Sequence, residues 1–323
     1  MEYTTLGKTG LKISRVGLGT WQFSHDWGVL EYEKAKNVIS RALELGINFF
    51  DTAMVYGMGI SERFLGKALK EAGASRDSVV ISTKIPGQFL NRDDVLRSVE
   101  KSLKLLGLDY VDILLAHWPP CWHNFPTREY AKAMEQLVKM GKVSYLGLSD
   151  FPLELVESFA SYLSVAELVV LQVRYNLVER WAEEELIPYA EKHGITVQAW
   201  SPIAKGALTG KYTPDNLPKF EDIRAQDPIF HPKNFTQVWE LVKKLNEIGS
   251  KYGKKPVQVA LNWLIMASPR VVPIPGAKTP DQVVDIAGSV GWRLSFEDWR
   301  LLDEISRGIR IQYSVYYVEK EVS

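Results

Sequence analysis

Cysteine is almost missing from this chain: Cys121 stands alone, so no intramolecular disulfide can form and a reducing compartment is the expectation. A surplus of charge is missing too. Lys plus Arg and Asp plus Glu number 39 each, which argues against bulk binding to nucleic acid or to an anionic membrane surface. No apolar run is long enough to span a bilayer, and the opening MEYTTLGKTG lacks the basic-then-apolar order of a secretory leader. A cytoplasmic location is expected. A complete G-x-G-x-x-G is also absent: GLGTWQ from Gly17 fails at its last glycine, and GALTGKY from Gly206 is one residue short of a phosphate loop. Metal ligands are sparse. His117, Cys121 and His123 lie close together, but Pro119 and Pro120 intervene and no fourth ligand has suitable spacing, so no metal is expected.

What is present is a repeated order of helix, glycine and strand. In EKAKNVISRALELG the apolar positions Ala35, Val38, Ile39, Ala42 and Leu43 mark one helical face, Gly46 supplies the stop, and the apolar run INFF follows. The same order recurs through Gly107 to Val111, through Gly141 to Val143 and through Gly194 to Ile195. Further strands fit VVIST, Leu168 to Val173 and Arg270 to Ile274, with a short one near RVGLGTW. That makes about eight parallel strands alternating with helices, the number that closes a (β/α)8 barrel. Tyr3 to Ser14 reads as an N-terminal β-hairpin, and the irregular, proline- and charge-rich span from about Gly206 to Asn234 as a lid after the seventh strand. One domain over residues 1–323 is expected, with a tail from about 307. Tyr313, Tyr316 and Tyr317 of that tail fit either a fold over the barrel mouth or a subunit contact, and the oligomeric state stays open.

Three successive apolar runs end in a side chain that can carry or move a proton: Asp51, Lys84 and His117. Barrel enzymes build their sites at those strand ends. Tyr56 follows Asp51 after a short turn, so a phenol joins them. The set suits proton donation to a carbonyl oxygen. Lys84, held charged by Asp51, lowers the pKa of Tyr56, and His117 orients the carbonyl. The electron pair then has to come from a bound hydride donor.

With DTAMVYG, the lysine of STK, the histidine of LLAHWP, GLSD, QVRYN and AWSPIAKGALTGKY in order, the chain resembles the aldo-keto reductases, NAD(P)(H)-dependent enzymes on a (β/α)8 barrel. The likeness runs from the hairpin to about Leu302, and the long loop is similar to that of the branch with potassium-channel β subunits and bacterial stress-protein reductases. The resemblance implies a catalytic tetrad of Asp51, Tyr56, Lys84 and His117. It also implies that Ser149, Asp150 and Gln172 face the nicotinamide carboxamide, that Trp200 stacks on the ring, and that Ser201, Ile203, Gly206 and Leu208 lie along the pyrophosphate. Three features depart from the family pattern: Asp150 in place of asparagine, Trp200 in place of tyrosine, and the Asp285–Ile286 pair in place of glutamate and asparagine.

After the last strand, PGAKTPDQ from Pro275 has the form of a helix start. Thr279 is the cap, Pro280 the first helical residue and Gln282 the capping-box partner. Gly276 and Lys278 precede it. Free amides plus a lysine make an anion site, where the resemblance places the 2′-phosphate of NADP(H); NADP(H) is expected to be preferred, by a modest factor because an exposed lysine is a weak clamp, with NAD(H) possible. Trp21, Trp27, Trp118 and Trp122 gather at the mouth and predict an aromatic-walled pocket for a small carbonyl compound. Two other readings stand beside the reductase: a cofactor-binding regulatory subunit that senses redox state with little turnover, and a Schiff-base aldolase using Lys84.

Overall fold

The computed structural model describes residues 1–120 and 123–313. Eight strands form one parallel sheet in sequence order. They are β3 (Leu18–Gly19), β4 (Phe49–Asp51), β5 (Val80–Ile85), β6 (Val111–Ala116), β7 (Val143–Ser149), β8 (Leu168–Arg174), β9 (Thr196–Trp200) and β10 (Val271–Pro273). The first and last meet. Gly17 N–H donates to Pro273 O at 2.9 Å, Gly19 N–H to Pro275 O at 3.0 Å, and Gly19 bridges Gly276, so the sheet closes into the expected (β/α)8 barrel. Between and after the strands run α1 (Tyr32–Glu44), α2 (Ile60–Glu71), α3 (Arg92–Leu106), α4 (Thr127–Lys139), α5 (Leu153–Tyr162), α6 (Leu186–His193), α7 (Pro232–Tyr252), α8 (Pro256–Ala267), α9 (Pro280–Ala287) and α10 (Phe296–Arg307). None is long and apolar enough, among the described residues, to cross a membrane.

Side-chain alternation builds two apolar layers. Phe49, Val80, Ile113, Leu115, Val170 and Val272 point inward and pack with Leu6 and Ile13 of the hairpin formed by β1 (Tyr3–Thr5) and β2 (Lys12–Ser14). The hairpin plugs the N-terminal end of the barrel, where Gly7 N–H donates to Oγ1 of Thr196, the first residue of β9, at 2.7 Å. Outward residues such as Phe50, Ile81 and Leu114 pack under the helices. In α1 the buried residues are Ala35, Val38, Ile39 and Ala42, an i, i+3, i+4, i+7 stripe. With the hairpin packed at the N-terminal end, the barrel's main cavity among the described residues opens at the C-terminal ends of the strands.

The span after β9 is less irregular than its composition suggests. It holds short 3-10 turns at Ala204–Thr209, Pro214–Asn216, Ile223–Gln226 and Pro228–Phe230, and α7 begins at Pro232, inside the expected loop. His231 caps that helix through Nδ1, and Pro232 sits at its first position. The tail turns back along α7. Gln312 N–H donates to Asn234 Oδ1 at 2.9 Å, and Tyr313 comes close enough to Glu179, Arg174 and Asp227 to feel their charges. Tyr316 and Tyr317 lie outside the described residues.

Candidate active site

At the C-terminal ends of the strands, β4, β5 and β6 deliver Asp51, Lys84 and His117. Lys84 is fully buried, and its ammonium donates to Asp51 Oδ2 at 2.6 Å, to Thr52 O at 2.7 Å and to Tyr56 Oη at 3.1 Å. All three protons are used. Asp51 also accepts from Ser82 Oγ at 2.6 Å and from Gln172 Nε2 at 2.9 Å. A buried ion pair is tolerable only when its remaining lone pairs are satisfied in this way. Tyr56 opens a short turn that runs through left-handed Gly57 and Met58, and this bend folds the phenol back over the strand ends. Its ring lies 5.6 Å from that of His117, at 76°.

The electrostatics correct one expectation. Burial pushes the Tyr56 hydroxyl well above the ordinary phenol value, and Asp51, Asp150 and Asp26 push it the same way. Lys84 at 3.1 Å does not reverse that. The phenol therefore holds its proton, with the Lys84 ammonium as its hydrogen-bonded neighbour. Burial, then the charge of Lys84, hold His117 well below its usual pKa, so the imidazole is neutral.

A cavity of about 550 Å³ starts at Asp51 and Tyr56 and runs past Trp21, Trp200, Ser201, Ile203 and Gly206 to Gly276, Lys278, Gln282, Asp285 and Ile286. That volume is within the range of small-molecule sites. Ser201, Ala204 and Lys205 have φ of 51°, 48° and 51°, an uncommon cluster of left-handed non-glycine residues. Strain of this kind collects at ligand sites. Among the described residues His117 Nδ1 and Trp27 Nε1 are buried without a hydrogen-bond partner, and buried polar atoms are normally paired.

The profile of the aldo/keto reductase family matches residues 15–307. The chain belongs to that family. Among its relatives, "Aldo-keto reductase YhdN" of Bacillus subtilis is 35% identical, covering 94% of this chain and 93% of that protein. A "Putative voltage-gated potassium channel subunit beta" of Schizosaccharomyces pombe is 34% identical over 97% and 96%, and the "NADH-specific methylglyoxal reductase" of Escherichia coli 30% over 96% and 99%. The solved glycerol dehydrogenase of Gluconobacter oxydans superposes with a TM-score of 0.86 at 31% identity, covering 96% of each chain. An NAD(P)-dependent oxidoreductase is the activity that membership of the aldo/keto reductases carries.

Not every expected site residue lies where the reading of the sequence put it. Gln172 spends its amide hydrogens inside the protein, on Asp51 Oδ1 and, at 2.6 Å, on Gln198 Oε1, which leaves only its own oxygen for a ligand. Ser149 is buried at the end of β7, and Leu208 is buried under the cleft instead of lining it. Thr279 caps α9 through Gln282 N–H at 3.3 Å without lining the cavity. Gln282 does not close the expected capping box, because its Oε1 accepts from Lys278 N–H at 2.7 Å, one residue further back. Trp118 packs on His117 at 4.5 Å and is not in the cavity wall, and Trp122, like Cys121, lies outside the described residues. Trp27 does line the cavity with Trp21, as expected: Trp21 stacks on Tyr56 at 5.9 Å, and Trp27 meets the edge of Trp21 at 5.6 Å. It is held there by Lys278 Nζ, which donates to its carbonyl.

Lys278 is accordingly a half-buried residue and not the exposed lysine expected. Burial and the charges of Arg224 and Lys211 push its pKa down, while Asp222 opposes them. Arg224, which the sequence reading missed, comes from the lid, lines the same cavity and lies 5.4 Å over the Trp27 ring. The lid is anchored by Asp227, buried and paired with Arg174 at 2.8 Å and Lys205 at 2.7 Å. At the far end Lys255 pairs with Asp285 at 2.7 Å.

Proposed function

We propose that this chain reduces aldehydes or ketones to alcohols with Tyr56 as the general acid, and the observation that carries the reading is the hydrogen-bonded chain Asp51–Lys84–Tyr56 opening into the long cavity. A bound reduced nicotinamide supplies the hydride. Tyr56 gives its proton to the carbonyl oxygen, Lys84 stabilises the phenolate, and neutral His117 orients the oxygen. Trp200, Ser201, Ile203 and Gly206 line the cavity and would hold the cofactor there, Trp200 by offering a ring face to the nicotinamide and the other three along the pyrophosphate, while Ser149, Asp150 and Gln172 lie behind that wall, where the free oxygen of Gln172 would be the group left to meet the carboxamide. Trp21 walls the carbonyl compound. Lys84 is an ion-pair partner of Asp51 with no free proton, which disfavours a Schiff-base role. Oxidation of NADPH and of NADH against a panel of aldehydes, ketones and sugars tests the activity. A second reading, a redox-sensing subunit with little turnover, is favoured by the potassium-channel relative, and a wild type that binds cofactor tightly but turns over with none of the panel would select it.

The cofactor is NADP(H) in preference to NAD(H). Lys278, Arg224 and Lys211 gather cationic charge beside the start of α9, where a helix N-terminus also favours an anion. Lys278→Glu is expected to weaken NADPH binding by about tenfold or more, and NADH by less than about threefold. Equal losses, or a wild type that prefers NADH, would sink the assignment.

A further inference from the structure

Asp150 and Trp200, at the ends of β7 and β9, are bonded to each other. The indole Nε1 of Trp200 donates to both carboxylate oxygens of Asp150, at 3.0 and 3.1 Å. A bond to an ionised acceptor is about twice as strong as a neutral one. Arg174 completes the set. Its backbone also bonds the Asp150 carboxylate, and its guanidinium lies 5.3 Å over the Trp200 ring. Glu179 and Asp227 hold that guanidinium at 2.7 and 2.8 Å.

Strand register brings these residues to one end of the sheet. Arg174 and Trp200 are cross-strand partners at the ends of β8 and β9. Asp150 follows the last residue of β7, tied by its N–H to Gln172 O at 2.9 Å. There it adopts a φ of 55°, a left-handed conformation that Asp and Asn tolerate better than other side chains. Of the two bonded residues, Trp200 lines the cavity and Asp150 does not.

We propose that Asp150 is a positioning residue whose carboxylate, by taking the indole N–H, fixes the Trp200 ring as a wall of the cofactor cleft, so that its partner is Trp200 more than the carboxamide. The inference rests on reading the cleft as a nicotinamide site. An indole on two rotatable bonds has several staggered alternatives. The N–H bond to Asp150, the guanidinium over the ring and the edge contact with Trp21 at 6.5 Å select one of them. The charged and titratable groups facing Asp150 are Arg174 from β8, Lys84 from β5, and Tyr56, whose hydroxyl feels its charge. Arg174 and Lys84 favour the carboxylate, as does the indole bond, but burial opposes them and pushes the carboxyl up to about 6. As pH falls through that value Asp150 takes a proton, the indole loses its charged acceptor and the ring loosens.

The test uses the whole chain, wild type beside Asp150→Asn, Asp150→Gly and Trp200→Phe; glycine suits the positive φ, so the second variant deletes the carboxylate without backbone strain. Near-UV circular dichroism of the free protein isolates the Trp200 signal as wild type minus Trp200→Phe. That signal is expected to titrate with a midpoint of about 6 and to become pH-independent in Asp150→Asn, whose amide oxygen still accepts but does not ionise. Hydride transfer, read in single turnovers with deuterated cofactor, is expected to slow by about tenfold in Asp150→Gly and in Trp200→Phe. Carbonyl KM should stay within about twofold, and the double variant should be no worse than either single one. A Trp200 signal that is the same in the Asp150→Gly background, read as Asp150→Gly minus the double variant, as in the wild type, or losses that multiply in the double variant, would overturn the inference. A wild type that binds no nicotinamide cofactor would overturn the reading of the cleft instead, and the dichroism of Asp150→Gly would still decide whether Asp150 holds the ring.

Discussion

Tyr56→Phe is expected to lower kcat for carbonyl reduction by about 100-fold or more, the range of a lost general acid, while cofactor affinity stays within about twofold. Only the hydroxyl is removed. The ring keeps its stacking on Trp21 at 5.9 Å and its edge contact with His117 at 5.6 Å. Lys84 keeps Asp51 at 2.6 Å and Thr52 O at 2.7 Å, so no buried charge is stranded and the fold should melt within a few degrees of wild type. Because burial holds the phenol protonated, the wild type enters the reaction with the proton the variant lacks. Cofactor binding by fluorescence and turnover under saturating cofactor separate the two effects. Near-normal turnover in the variant would remove Tyr56 from the mechanism.

Much of this was legible in the sequence because it is written locally. A parallel barrel strand is a short apolar run, so the polar residues at or near its C-terminal end, Asp51, Lys84 and His117, could be picked out as candidates from where the apolar runs stop. Contacts between distant segments were not legible. Gln172 and Asp51 sit on strands that are not neighbours, and their bond at 2.9 Å exists only because the closed barrel turns both inward. Trp27 and Lys278 meet across 251 residues of chain. Arg224 and Asp227 lie in a span without helical or strand period, where no pattern shows that one faces the cavity and the other anchors the lid. Gln282 shows the limit even of local rules: cap spacing identified the helix start, and the glutamine side chain still chose the amide one residue beyond the expected one.

Lys84→Met is expected to have two separable consequences, because the ammonium serves two neighbours at once. Methionine nearly fills the same volume but offers no charge and no donors. Asp51, only 3% exposed, is left with the neutral donors Ser82 and Gln172. Breaking a buried pair by removing one partner costs about 3–5 kcal/mol, so denaturant unfolding should show a loss of that order. The second consequence is chemical. Among the described residues Lys84 is the one cation hydrogen-bonded to Tyr56, against burial and three carboxylates that already push the phenol upward. Without it the phenolate is harder to form, so the alkaline limb governed by Tyr56 should move to higher pH and kcat near neutrality should fall by about 100-fold. The sign follows from charge alone: a lost neighbouring cation disfavours the anionic form and raises the pKa. A folded variant with an unmoved alkaline limb would show that Lys84 serves the ion pair and not the acid, and proton donation would then have to be assigned without it.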